Sequence, residues 1–106
     1  MQLKLLAPDE LDQYLERHNC RLVDLRNCKQ FEGTHIRNAI NIPYAQLERN
    51  LQQFSKQIPI VLYCDRGGAS LAACKRLSEL GYEALSVMGG LNSYRGRYLE
   101  KNKKAH

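Results

Sequence analysis

Apolar residues along this chain follow two alternating patterns, short runs of neighbouring apolar residues and longer stretches with helical spacing. The short runs predict strands at residues 3–6, 21–25, 39–42, 60–63 and 83–87. The run at residues 60–63, I-V-L-Y, contains no polar member, which is typical of a strand buried on both faces of a parallel sheet. The chain is therefore predicted to contain five strands, with the fourth at its centre.

Helical spacing fills the intervals between these strands. Pro8 fits the first position of a helix, the acidic Asp9 and Glu10 suit its first turn, and residues 27–31 favour a helical turn. The predicted helix faces are Leu11, Tyr14 and Leu15; Tyr44, Leu47, Leu51 and Phe54; Ala69, Ala73, Leu77 and Leu80; and Leu91, Tyr94, Arg95 and Tyr98. Alternation of strand and helix predicts an α/β fold with a mainly parallel sheet and right-handed crossovers.

Cys64 directly follows the central predicted strand. Gly67 and Gly68 then allow a tight turn, and a helix is predicted from about Ala69. Ligands of parallel sheets bind outside the carboxyl ends of the strands. The backbone amides of such a turn and of the first helical turn favour an anion at the end of the strand. This matters for a cysteine because a thiol reacts as its thiolate. We interpret Cys64 as a nucleophile; the alternative is a cysteine that only ends a buried strand.

Other polar residues have a structural interpretation beside a functional one. Asp24 and Arg26 are two residues apart, so both side chains would point to the same side of a strand. We favour a structural ion pair between them over contact with a ligand. For His35 we favour a loop-fixing hydrogen bond over a general base, and His18 is predicted to lie on a helix face. Cys74 is interpreted as a packing residue of the helix that follows Cys64.

Composition limits the classes of protein that fit. The 106 residues predict one domain, and 43% hydrophobic and 25% charged residues are ordinary for a globular protein. We expect a cytoplasmic protein with four reduced cysteines, since no signal peptide, membrane span or C-x-x-C zinc spacing is present. The net charge of +5 favours an anionic small molecule or an acidic partner, and no motif favours nucleic acid.

Four segments, in order, resemble the rhodanese (sulfurtransferase) family as a single-domain member. L-V-D-L-R at residues 22–26 is similar to its D-x-R strand, and H-I-R-N-A-I-N-I-P at residues 35–43 to its histidine segment. V-L-Y-C-D-R-G-G-A-S at residues 61–70 resembles the active-site strand and loop, and V-M-G-G-L-N-S-Y at residues 87–94 the closing glycine pair. The resemblance covers nearly the whole chain.

This resemblance implies a three-layer fold with a five-stranded, mainly parallel sheet flanked by helices, over residues 1–100. The lysines after Leu99 predict a basic C-terminal tail at residues 101–106, which we interpret as a frayed end. The resemblance also implies that Cys64 is catalytic and cycles between thiol and persulfide. The substrate-binding cradle would be formed by Asp65, Arg66, Gly67, Gly68, Ala69 and Ser70. Thiosulfate or a similar small anion would donate sulfur to cyanide or a thiol, without a cofactor, and we expect a monomer with no membrane partner.

The loop also departs from the family pattern. Many members have C-x-x-G-x-R, but Ala69 stands at the arginine position, and Arg66 is the candidate to replace it. Thr34 and Asn38 stand where the histidine segment of the family has glycines. Three alternatives therefore stay open: a sulfur-relay carrier loaded by a protein donor, a non-catalytic interaction module, and a phosphatase, the last disfavoured because Ser70 occupies the position of its arginine.

Overall fold

A computed structural model of the protein describes residues 3–102. Five strands form its main sheet, in the order β1-β6-β5-β2-β4, and all neighbouring strands are parallel. They are β1 (Lys4–Leu6), β2 (Arg21–Asp24), β4 (Ile40–Asn41), β5 (Ile60–Tyr63) and β6 (Ala84–Val87); β3 (Thr34–Ile36) and β7 (Leu99–Lys101) pair separately, antiparallel. The predicted five-stranded parallel sheet is therefore confirmed, with β5 at its centre.

Helices cover both faces of the sheet and make it the middle of three layers. They are α1 (Leu11–Arg17), α2 (Cys28–Gly33), α3 (Gly68–Glu79) and α4 (Gly90–Ser93), with 3₁₀ turns at Pro8–Glu10, Tyr44–Gln46 and Glu48–Gln53. The central strand contributes Ile60 and Leu62 to the core under α3, and Val61 and Tyr63 to the core on the opposite face. All four side chains have no exposed surface, which explains the unbroken apolar run.

Two predicted helices are wrong in their detail. Residues 44–54 form two 3₁₀ segments rather than one α-helix, because bonds such as Phe54 N to Leu51 O join residues three apart. Spacings of three and four residues fit either helix type over so short a stretch. Leu47, Leu51 and Phe54 are nevertheless buried as that pattern predicts, whereas Tyr44 is 48% exposed.

The last predicted helix ends at Ser93, and the chain then turns into β7. Tyr94 is extended, with φ −78° and ψ 130°, and its hydroxyl donates to Asp12 and accepts from the amide of Tyr98. The bond to the distant Asp12 outweighs the helical spacing of the segment. Lys101, predicted to begin a frayed tail, instead pairs with Thr34 in the hairpin of β3 and β7. Residues 103–106 lie outside the described part of the chain.

Asn38 replaces a glycine of the family pattern without losing a glycine-like backbone. Its φ is 69°, in the left-handed region that asparagine enters more easily than most residues. Thr34, at the other replaced glycine, has an ordinary extended conformation and begins β3. Within residues 3–102, no helix is long and apolar enough to cross a bilayer.

Candidate active site

Cys64 follows β5 at the carboxyl edge of the sheet and lies against the amino end of α3. It is 7% exposed, and it reaches the surface in an open cavity of about 610 Å³. The cavity is lined by Leu25, Arg26, Asn27, Gln30, Cys64, Asp65, Arg66, Gly68 and Ala69. The sulfur is therefore held mostly inside the protein, in a cavity with room for a small molecule.

Two backbone amides donate to the sulfur of Cys64. The amide nitrogen of Gly67 lies 3.1 Å from Sγ and that of Ser70 lies 3.4 Å from it. Gly67 has a φ of 104°, a conformation that side chains other than glycine rarely adopt, and it directly precedes the 12-residue α3. Because amide donors and the amino end of a helix both favour negative charge, the loop is built to hold a thiolate.

Of the six residues predicted to form the cradle, only Gly67 and Ser70 donate an amide to Sγ. Four other loop residues line the cavity but donate no hydrogen bond to Sγ in the described chain: Asp65, Arg66, Gly68 and Ala69. Ala69 presents only a methyl group at the position where the C-x-x-G-x-R pattern has an arginine. It therefore adds no charge to the lining of the cavity.

A buried pair of serines lies beneath the sulfur. The Oγ of Ser70 is 3.7 Å from Sγ, 3.2 Å from the carbonyl oxygen of Gly67 and 2.8 Å from the Oγ of Ser86 in β6. Ser70 and Ser86 are 0% and 2% exposed. Ser70 can turn its hydroxyl proton from the Gly67 carbonyl toward a thiolate. The Gly67 carbonyl then still accepts a hydrogen bond from the amide of Leu71 at 3.0 Å, and the hydroxyl of Ser86 donates to that of Ser70. Both serines can therefore adjust to a charge on sulfur without leaving a polar group unpaired.

This serine pair gives a testable effect on reactivity. Changing Ser70 to alanine removes a hydroxyl that can donate to the thiolate, so the rate of Cys64 alkylation by iodoacetamide should fall by about three- to tenfold. Ser86→Ala should give a smaller decrease, and the double variant should match Ser70→Ala alone, because Ser86 acts through Ser70. The rates would be measured under one set of conditions by mass spectrometry of the Cys64 peptide. Additive decreases would show that Ser86 acts by another route.

A second glycine pair packs against the backbone of Cys64 and Asp65. The amide of Leu91 donates to the carbonyl of Cys64 at 2.8 Å, and that of Asn92 to the carbonyl of Asp65 at 2.9 Å. Gly90 has a φ of 60°, and a β-carbon there would lie 2.4 Å from the Cys64 oxygen. Gly90 is thus needed for α4 to approach and hold the loop that begins at Cys64.

Asp24 and Arg26 form the predicted ion pair behind the cavity. The carboxylate of Asp24, 0% exposed, accepts from Nε and Nη2 of Arg26 and from its backbone amide at 2.8–3.2 Å. Arg26 also donates to the carbonyl of Thr34 and lies 3.6 Å from the carboxylate of Asp65. Burial, with the nearby Asp24, raises the pKa of Tyr63 far above its usual value. The pair braces the loop structurally, and Arg26 also lines the cavity.

Neither Asp65 nor Arg66 makes a hydrogen bond to the sulfur of Cys64 in the described chain. Asp65 is 55% exposed at its side chain and accepts from Nε2 of Gln30 at 2.9 Å, so its charge is turned toward Gln30 and Arg26. Arg66 is exposed and makes no hydrogen bond or ion pair within residues 3–102. The guanidinium of Arg66 is therefore free to meet an anion in the cavity.

The histidines and the other cysteines lie outside this arrangement. Nδ1 of His35 is 2.7 Å from the carbonyl of Phe31, and its ring stacks on Phe31, which confirms the predicted loop-fixing bond. His18 bonds its own helix at Tyr14. Cys74 packs in the core, where its thiol donates to the carbonyl of Ala84. In the described chain, no group of three His, Cys, Asp or Glu side chains could hold a metal.

Sequence reasoning missed Ser86 and Gln30. Ser86 lies in a strand whose other members are apolar, and a single polar residue in a fully buried strand is the signal that could have found it. Gln30 follows the helix cap Asn27 by three residues, a spacing typical of a capping box, but its side chain also reaches Asp65.

The sheet, the loop and the glycine pair define the class of protein. The family profile described as Rhodanese-like domain matches residues 7–97. The chain belongs to the rhodanese-like domain family, as the resemblance of its motifs implied.

Individual relatives share both the sequence and the fold. Thiosulfate sulfurtransferase GlpE of Coxiella burnetii is 25% identical over 99 residues, covering 92% of each chain. Putative sulfurtransferase YtwF of Bacillus subtilis is 25% identical over 96% of this chain and 100% of its own. A crystal structure of a rhodanese-like domain protein from Staphylococcus aureus matches with a TM-score of 0.84 and 28% identity, over 95% of this chain and 100% of that one. Together these matches support sulfur transfer as the general activity.

Proposed function

We propose that this protein is a sulfurtransferase that moves sulfane sulfur through a persulfide on Cys64. The observation that carries the proposal is the pair of amides, from Gly67 and Ser70, that donate to Sγ beside an open cavity. Such donors stabilise both the attacking thiolate and the anionic persulfide that replaces it. A small anion such as thiosulfate is the proposed donor, which agrees with the net charge of +5.

The reaction has two displacements at sulfur. The thiolate of Cys64 attacks the outer sulfur of thiosulfate, a new S–S bond forms, and sulfite leaves with the electron pair of the broken bond. Cyanide or a thiolate then attacks the outer sulfur of the persulfide, and Cys64 leaves as a thiolate held by the same two amides. Neither half-reaction needs an external oxidant or a metal. Arg66 is the proposed contact for the sulfonate end of the donor, since its charge is unpaired in the described chain.

The direct test is the mass of the protein after incubation with thiosulfate. We expect an adduct of about 32 Da, one sulfur atom, that disappears when cyanide is added. Cys64→Ser should abolish the adduct, whereas Cys28→Ser should keep it, because Cys28 is an exposed cysteine outside the cavity. Full sulfur loading and thiocyanate production by Cys64→Ser would refute the proposal. No adduct on the wild-type protein with any sulfane donor would favour a non-catalytic module.

A sulfur-relay carrier is the second candidate, and Ala69 favours it. Without an arginine at this position, a small anionic donor has fewer charged contacts, whereas a protein donor can bind over a larger surface. Steady-state kinetics separates the two. A Michaelis constant for thiosulfate far above the millimolar range supports the carrier, and a low one supports the thiosulfate enzyme. Ala69→Arg should lower that constant several-fold if charge at this position limits donor binding.

A further inference from the structure

A separate cavity lies at the amino edge of the sheet, away from Cys64. Its volume is about 400 Å³, and among the described residues its lining shares none with the cavity that contains Cys64. Cys20, which lines it, directly precedes β2, and Arg21 pairs with Ile60 at the amino end of β5. Cys64 follows the other end of β5, so the length of that strand, roughly 13 Å, separates the two cavities.

The charged side chains of this cavity already have partners. Glu16 accepts from the hydroxyl of Tyr98 and pairs with Arg97 at 3.2 Å. Arg37 donates through Nε to Glu100 at 3.0 Å and lies over the ring of Tyr98. Because one acidic and one basic residue line the cavity and both are paired, the lining favours an uncharged ligand over an anion or a cation.

Two asparagines and a histidine contribute polar groups to the lining. The carboxamides of Asn19 and Asn38 make no hydrogen bond within residues 3–102, so each offers two donors and an acceptor. Nδ1 of His18 lies 3.1 Å from the carbonyl of Tyr14, so this nitrogen carries a proton, and Nε2 of the neutral ring is an acceptor. These groups match a ligand that has both a donor and an acceptor.

Asn38 brings its carboxamide to the cavity at a backbone position suited to glycine. Its φ is 69°, and the family pattern has a glycine here. A glycine would fit this conformation more easily but would leave this part of the lining without a polar side chain. A carboxamide is best matched by another amide, because donor and acceptor then form two hydrogen bonds side by side.

The rest of the lining is apolar or aromatic. Leu15, Leu22 and the half-buried Cys20 supply apolar surface, and Tyr98 supplies an aromatic ring. Burial raises the pKa of Cys20, so its thiol stays neutral near pH 7 and is a poor nucleophile. Surface of this kind favours the ring of a flat, aromatic ligand.

We propose that this cavity binds an uncharged aromatic carboxamide, whose amide pairs with Asn38 while its ring packs on Leu15, Leu22 and Tyr98. The site goes beyond the proposed function and does not depend on it, since it is separate from Cys64.

Amide NMR spectra recorded during titration with nicotinamide, a flat and uncharged pyridine carboxamide, test the proposal. The signals of Cys20 and Asn38 should shift and saturate at roughly millimolar concentration, as expected for so small a ligand. The signals of Gly67 and Ser70, at the other edge of the sheet, should stay unchanged. Methyl nicotinate lacks the amide donor and nicotinate carries a negative charge, so both should bind at least several-fold more weakly.

Two variants that each remove one carboxamide locate the effect. Asn38→Gly suits the φ of 69°, so it should stay folded, which urea unfolding would check. It should raise the dissociation constant for nicotinamide by roughly three- to tenfold, as expected for lost hydrogen bonds. Gln53→Ala removes a carboxamide from an exposed residue outside the cavity and should leave that constant unchanged.

The outcomes decide the site independently of sulfur transfer. Saturable shifts at Cys20 and Asn38 that weaken in Asn38→Gly support it. Equal binding of the three pyridines, equal constants for the two variants, shifts only around Gly67, or no saturable shift would each overturn it. Sulfur loading of Cys64 is measured by mass in a different experiment, so the proposed function stands or fails separately.

Discussion

Gly90→Ala is expected to destabilise the protein by at least about 2 kcal/mol and to prevent sulfur loading on Cys64. The added β-carbon would lie 2.4 Å from the carbonyl oxygen of Cys64 and 2.6 Å from the carbonyl group of Asp65. Both neighbours are backbone atoms, which cannot rotate away as a side chain can. The φ of 60° is also unfavourable for alanine. Either α4 or the loop must therefore shift, and the two amides would move from Sγ.

Urea unfolding and intact mass after thiosulfate treatment measure the two parts of this prediction. Gly33→Ala is the matched control, since a β-carbon there has no neighbouring atom within 4 Å and the residue ends a helix. Its free energy of unfolding should change by less than about 1 kcal/mol, with loading retained. If Gly90→Ala loads sulfur as well as Gly33→Ala does, the close approach of α4 is not required by the site.

Asp24→Ala is expected to cost about 3–5 kcal/mol of stability. Asp24 is fully buried and accepts every hydrogen bond that orients the Arg26 guanidinium, apart from the one to Thr34. Removing the carboxylate leaves a buried charge whose nearest acidic neighbour, Asp65, is 3.6 Å away and mostly exposed. Most of the lost stability comes from leaving the Arg26 cation buried without a counter-ion, and less from losing the attraction within the ion pair.

An exposed ion pair provides the comparison. Glu48→Gln removes the charge that faces Arg76. This pair has a shorter distance, 2.6 Å, but both side chains are more than half exposed. The substitution should change the free energy of unfolding by no more than about 1 kcal/mol. Urea unfolding of both variants decides the matter. Similar losses for Asp24→Ala and Glu48→Gln would mean that Arg26 finds water or another partner once Asp24 is gone.

Local sequence patterns predicted the parts of this molecule that depend on local chemistry. The buried strand at Ile60–Tyr63, the glycine turn and the helix after it could be predicted because each signal acts within a few residues. The site cysteine followed from its place at the end of that strand. The α/β class followed from the alternation of the two apolar periods.

Features that depend on distant residues could not be predicted in this way. The antiparallel hairpin of β3 and β7 joins Thr34 to Lys101, and the turn before β7 is held by Asp12, more than 80 residues earlier in the chain. The serine pair beneath the sulfur likewise joins α3 to β6. No pattern within a short window contains such contacts, and tertiary bonds override the local helical tendency of residues 94–98.

Main-chain donors at the sulfur separate reactivity from selectivity. The groups that hold the charge on Cys64 are amides, which every non-proline residue supplies, while the side chains of Asp65, Arg66 and Ala69 face the cavity instead. Exchange of these three side chains should therefore redirect the protein toward other donors or acceptors while its nucleophile stays intact. Divergence or recombination of this short segment alone would then change which donor or acceptor the protein uses, with the scaffold around the cysteine unchanged.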